Sequence, residues 1–152
     1  MSHPPTRNPD IINIDLKNVE NVSNFVRDIL AKSKEEAELI KVVKKTTKSS
    51  YRRVHEIASS ALEEVERGKN PTSAITALTK SLILVKYQEA RGLLVGQLPR
   101  YIEHILSKVL ECMQEASKKQ GGNIHDCREM AKNGKMILDA LAVLVYQYGE
   151  EG

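Results

Sequence analysis

Val54-His55-Glu56-Ile57-Ala58-Ser59-Ser60-Ala61-Leu62-Glu63-Glu64-Val65-Glu66-Arg67-Gly68-Lys69-Asn70-Pro71 contains the body of one helix, its stop and the start of the next. Val54, Ile57, Ala58, Ala61, Leu62 and Val65 recur at threes and fours, so they share one face of a 3.6-residue helix. Gly68 is a stop, because glycine closes a helix in the left-handed conformation without a Cβ penalty. Asn70 offers a capping oxygen, and Pro71 has its φ preset for a first helical turn.

The same period extends outward from this stretch. Ile75, Leu78, Leu82 and Val85 form the seam of the following helix. Gly92, Gly96 and Pro99 interrupt it, and Pro99 either breaks that helix or opens a fourth carrying Ile102, Ile105, Leu106, Val109, Leu110 and Met113. Ser117 to Gly122 reads as a polar loop. Asn123 reads as the cap of a last helix with Met130, Ile137, Leu138, Leu141, Leu144, Val145 and Tyr148 inward, ended by Gly149. Toward the N-terminus, Val19, Val22, Val26, Ile29 and Leu30 share a face. Leu39, Ile40 and Val43 continue it, in one helix or two, to an end near Lys45. Thr46, Thr47, Ser49 and Ser50 favour a turn and a new helix start near Ser49. Pro4, Pro5 and Pro9 make residues 1–14 an extended or mobile tail, which leaves 15–149 as a single domain. No stretch alternates with period two for long. The expected fold is all-α, a compact bundle of five or six helices.

Composition excludes several classes. A chain of 152 residues with 41% apolar and 28% charged side chains can bury a real core. No apolar run approaches the roughly 18 residues of a membrane span, and the first ten residues have no signal-peptide core. Cys112 and Cys127 are expected to be reduced thiols of a cytoplasmic protein. His125-x-Cys127 has no second ligand pair at zinc spacing, so no metal is expected. There is no phosphate-binding glycine loop and no dinucleotide fingerprint, hence no cofactor. His55 beside Glu56 and His104 beside Glu103 diverge around a helix and make no acid–base pair. The Arg-x4-His pair of helical HEPN ribonucleases is absent, since Arg100 and His104 are one residue too close. A non-enzyme is expected.

Binding chemistry is better represented. From Lys41 to Arg53 there are six basic side chains and no acid, in a chain whose net charge is only +3. Such a run suits phosphate backbones, which bind cations by releasing counterions. Lys41, Lys44 and Lys45 complement the negative end of a preceding helix. Lys48 has no such explanation, nor do Arg52 and Arg53, which fall in the first turn of the next helix, where cations are disfavoured, and so point to a ligand. Ser49, Ser50 and the amides of that helix start could also donate to phosphate. Lys80, Lys86 and Arg91 form a second basic set. Tyr51 and Tyr87 are the tyrosines near the two sets. With one Phe and no Trp in the chain, backbone tracking is favoured over base recognition.

Three ordered stretches resemble the small subunit of type III-A (Csm-type) CRISPR interference complexes. Thr47-Lys48-Ser49-Ser50-Tyr51-Arg52-Arg53-Val54 is similar to the family's Thr/Ser-rich helix start followed by an apolar residue, an arginine and another basic residue. Leu84-Val85-Lys86-Tyr87-Gln88-Glu89-Ala90-Arg91 is similar to its Leu/Ala-Tyr segment with an arginine four residues on. Leu138-Asp139-Ala140-Leu141 through Tyr148-Gly149 resembles its closing helix. Ser50 stands where the family often has glutamine, and Leu144 and Val145 where it usually has Tyr and His. The resemblance implies a non-catalytic helical subunit, stacked in copies within an effector complex and touching guide or target single-stranded RNA. Arg52, and by position Lys48, Arg53 and Arg91, would face RNA. With the charge pattern, the expected RNA-binding set is Lys44, Lys45, Lys48, Arg52, Arg53, Lys86 and Arg91. The alternative is a helical protein–protein adaptor, suggested by the high apolar content of residues 75–113.

Overall fold

In the computed structural model, residues 14–31, 41, 43–68, 70–118 and 124–151 are described. They form five named helices: α1 (Val19–Ala31), α2 (Lys48–Arg67), α3 (Pro71–Ala90), α4 (Gln97–Lys118) and α5 (Ile124–Tyr148). Most of the proposed tail, the Leu39–Ile40 continuation and the Asn123 cap lie outside the described residues.

Each boundary has a local cause. Gly68 ends α2 at φ 64°, and its N–H reaches back to the carbonyls of Glu64 and Val65. Asn70 accepts from the amides of Thr72 and Ser73, with Pro71 as the first helical residue of α3. The two readings of Pro99 resolve in favour of an opening. Pro99 lies in the first turn of α4, where the missing N–H would have had no intrahelical partner.

Helices α2, α3, α4 and α5 form a closed ring in which each packs on its sequence neighbour and α5 returns to α2; α1 lies against α5. All four ring contacts are antiparallel. Ser81 Oγ meets the Ile57 carbonyl, Lys86 meets Glu103, and Lys135 meets Glu63 while Arg52 meets Tyr146. The core is one cluster drawn from every helix. Val54, Ala58, Ala61, Leu62 and Val65 of the α2 stripe are buried as the spacing requires, whereas Ile57 stays 37% exposed. In α1 the buried stripe is Val22, Phe25 and Ile29, with Val19 and Leu30 exposed. Phe25 was not anticipated; it meets the Tyr101 ring edge-on at 5.8 Å between centroids.

Asn133 is fully buried in α5, and its amide donates to the Leu16 carbonyl at 2.8 Å. This ties the segment before α1 to the core. The far end of α5 is clipped in a similar way. The Lys48 amide donates to the Glu150 carbonyl and the Glu150 amide to the Thr46 carbonyl, both at 2.8 Å. Gly149 lets the two backbones approach, since a Cβ there would stand 2.6 Å from the Val145 carbonyl oxygen and 3.1 Å from that of Thr46.

One expectation is overturned. Cys112 and Cys127 are not separate thiols but a disulfide, with Cα atoms 5.6 Å apart. Fifteen residues separate them in the chain, but the antiparallel α4–α5 pair sets them face to face.

Candidate nucleic-acid interface

The basic run straddles the start of α2. Val43 and Thr46 are buried, so the turn between them sits on the core and Lys44 and Lys45 project outward. Thr47 caps α2, its hydroxyl accepting from the Ser50 amide at 3.3 Å. The helix has no acidic residue in its first turn. The helix-start amides are less available than anticipated, because those of Lys48 and Ser50 are taken by Glu150 and Thr47. Ser50 itself is buried.

Two assignments change. Lys48, the first residue of α2, has a structural role after all: its ammonium pairs with Glu151 at 2.9 Å. Arg52 and Arg53 lie in the second turn rather than the first, and both are exposed. Among the described residues, Arg53 forms no ion pair, which leaves its guanidinium to solvent.

The closing helix supplies what the basic run lacks. Tyr51, the aromatic inside the run, is buried and donates its hydroxyl to the Leu138 carbonyl at 2.8 Å. Burial first, and the nearby Asp139 charge second, push that phenol well above its ordinary pKa. It is a core residue and offers no stacking face. The exposed aromatic beside Arg52 is Tyr146 of α5, 53% exposed, whose hydroxyl accepts from Arg52 Nε at 3.1 Å. One turn along, His55 Nε2 lies 2.8 Å from Asp139 Oδ1. These partners are 94 and 84 residues apart in the chain, so no local spacing joins them. A signal was nevertheless present: Asp139, Val143 and Tyr146 fall off the apolar stripe of α5 and had to face outward.

Ser59, one turn on from His55, has a buried Oγ without a hydrogen-bond partner among the described residues. No group of three or more His, Cys, Asp or Glu residues suited to a metal occurs among the described residues. An open cleft of about 320 Å³ at the other end of the bundle, beside Cys112, is lined by both signs of charge, including Lys17, Lys108, Glu111 and Asp126.

The second basic set is divided. Lys80 is exposed on α3. The Lys86 ammonium pairs with Glu103 at 2.6 Å, and the hydrogen bond and charge of that carboxylate raise its pKa. Arg91, the C-cap of α3, is exposed, with its guanidinium 5.4 Å from the Tyr87 ring centre. Because α2 and α3 are antiparallel, the end of α3 lies at the same pole of the bundle as the start of α2. The start of α4 joins them with the exposed Arg100. The fold thus gathers Lys44, Lys45, Arg52, Arg53 and Arg91 at one pole. Glu103 and Glu151 there answer Lys86 and Lys48.

No described helix is long and apolar enough to cross a membrane. Comparison of the chain with protein-family models, with curated proteins and with solved structures finds no match.

Proposed function

We propose that this protein is a non-catalytic RNA-binding small subunit of a type III-A (Csm-type) CRISPR effector complex, contributing to antiviral defence. It holds guide or target single-stranded RNA by phosphate contacts, alongside copies of itself and other subunits in the cytoplasm. The observation that carries the proposal is the exposed pair Arg52 and Arg53, in a helix with no acidic residue in its first turn, at a pole that also holds Arg91. Lys48 and Lys86 drop to a supporting role, since each already has a carboxylate partner. The three ordered motifs supply the family. A cytoplasmic location makes the Cys112–Cys127 bridge an exception to the usual reduced state of cytosolic thiols.

The mechanism is electrostatic, so salt tests it. The logarithm of the affinity for a single-stranded RNA oligomer should fall linearly with the logarithm of salt concentration, by about 0.7 per phosphate neutralised. Arg52→Ala with Arg53→Ala should weaken binding and flatten that slope by about 1.4. Binding that ignores salt, or survives the double substitution unchanged, refutes the proposal.

One observation favours a second reading, a protein–protein adaptor. Ile83 and Tyr87 are 64% and 57% exposed one turn apart on α3. Partners that remain bound after nuclease treatment would support the adaptor.

A further inference from the structure

We propose that Tyr146, with Arg52, forms a stacking site for an unpaired nucleobase, so that the interface reads bases as well as phosphates. The inference rests on the RNA-binding reading above and extends it to a chemical group that a lysine–arginine patch cannot hold.

Four features of the site support it. Tyr146 is 53% exposed on the outer face of α5, and Val143, one turn earlier on that face, is 46% exposed. Together they make an apolar ledge bordered by a cation. Arg52 Nε donates to the Tyr146 hydroxyl at 3.1 Å while its guanidinium carbon lies 5.8 Å from the ring centre. Those two distances put the guanidinium at the hydroxyl end of the ring rather than over its face, which leaves the face for a ligand. A ring tethered at that end has also lost part of its rotamer freedom before binding, which lowers the entropy cost of stacking. The remaining N–H groups of Arg52, with those of Arg53 beside it, are left for the phosphate attached to the stacked nucleoside.

The other tyrosines are poorer candidates. Tyr51 and Tyr101 are buried, and Tyr148 is half-buried. Tyr87 is exposed, but its arginine lies four residues away on the same helix, a pairing that exposed helices form locally. The Arg52–Tyr146 pair instead joins two helices at the basic helix start. Bases in a duplex are already stacked on each other, so the site takes single strands.

Equilibrium binding at low salt separates this inference from the reading beneath it. Two ligands of equal length are used: oligoadenylate, and a ribose-phosphate oligomer that carries no bases. Wild-type protein should bind oligoadenylate about fivefold or more tighter than the base-free oligomer, as one stacked base requires. In Tyr146→Ala that gap should close, and Tyr146→Phe, which keeps the ring but loses the Arg52 tether, should restore part of it. Tyrosine emission offers a second readout, since the chain has no tryptophan. It should be quenched on oligoadenylate binding in the wild type and less so in Tyr146→Ala. Equal wild-type affinity for the two ligands, or a gap that persists in Tyr146→Ala, overturns the stacking site. If Arg52→Ala with Arg53→Ala still weakens both ligands in that case, the RNA-binding reading stands without it. If the arginine substitutions change neither ligand, both fall.

Discussion

Reducing the Cys112–Cys127 bridge should lower stability by an amount set by loop length. The bridge closes a loop of fifteen residues between α4 and α5. Cross-linking such a loop removes chain entropy from the unfolded state worth about 3 kcal/mol at 25 °C. In a domain of this size that corresponds to a fall in Tm of about 6–12 °C. The variant should be Cys112→Ser with Cys127→Ala, because Cys127 is fully buried and a serine there would bury an unpaired hydroxyl. Thermal unfolding by circular dichroism, with and without a phosphine reductant, gives four curves. Reduced wild type should melt near the variant, and the variant should not respond to reductant. Intact mass under non-reducing conditions, with thiol alkylation, reports whether the bridge is present. Two free thiols in the purified, oxidised protein would refute the pairing. A bridge whose reduction leaves Tm unchanged would refute the entropic account.

Tyr51→Phe removes one buried hydrogen bond, to the Leu138 carbonyl, and should cost about 1 kcal/mol in urea unfolding; a stabilised variant would mean that bond contributes nothing. Gly134→Ala sets a helix-propensity gain of about 1 kcal/mol against an overpacking cost of about 1–3 kcal/mol. Its new Cβ would stand 2.6 Å from Cγ2 of the buried Ile105, so the net effect should be neutral to destabilising, and a clear rise in Tm would refute the close packing of α4 on α5. The Lys135–Glu63 pair should shape the pH profile. The hydrogen bond from Lys135 and then its charge lower the Glu63 pKa. Desolvation acts downward on Lys135, but the Glu63 hydrogen bond and the Glu66 charge outweigh it, and its pKa is raised. The carboxylate contribution is therefore present above the ordinary glutamate pKa and lost as pH falls through the lowered value. The ammonium contribution is present below the ordinary lysine pKa and lost as pH rises through the raised one. Lys135→Gln should weaken both dependences while leaving the neutral plateau flat; unchanged limbs in a stability–pH titration would refute the coupling.

Helix existence and type were legible in the chain because they depend on residues three and four apart. The stop at Gly68, the cap at Asn70 with Pro71, and the buried stripes of α2, α4 and α5 all followed from local spacing. Phe25 escaped because α1 carries more apolar residues than it buries, and periodicity alone does not rank them. The site was legible only in part. Exposed Arg52 and Arg53 follow from the α2 stripe, since residues off the stripe must face solvent. The ion pair of Lys48 was not legible because its partner, Glu151, lies 103 residues away.

By itself, then, the sequence determined an all-α chain, the faces its helices bury, and a cationic helix start with no acid to balance it locally. Tertiary structure alone decided which charges are answered, which tyrosine is exposed beside Arg52, and that Cys112 meets Cys127. The physical reason is range. Helix formation and capping act within a few residues of chain, whereas ion pairs, ring contacts and disulfides require atoms within a few ångströms. Antiparallel packing of α2 on α5 brought Tyr51, Arg52 and His55 within reach of Leu138, Tyr146 and Asp139.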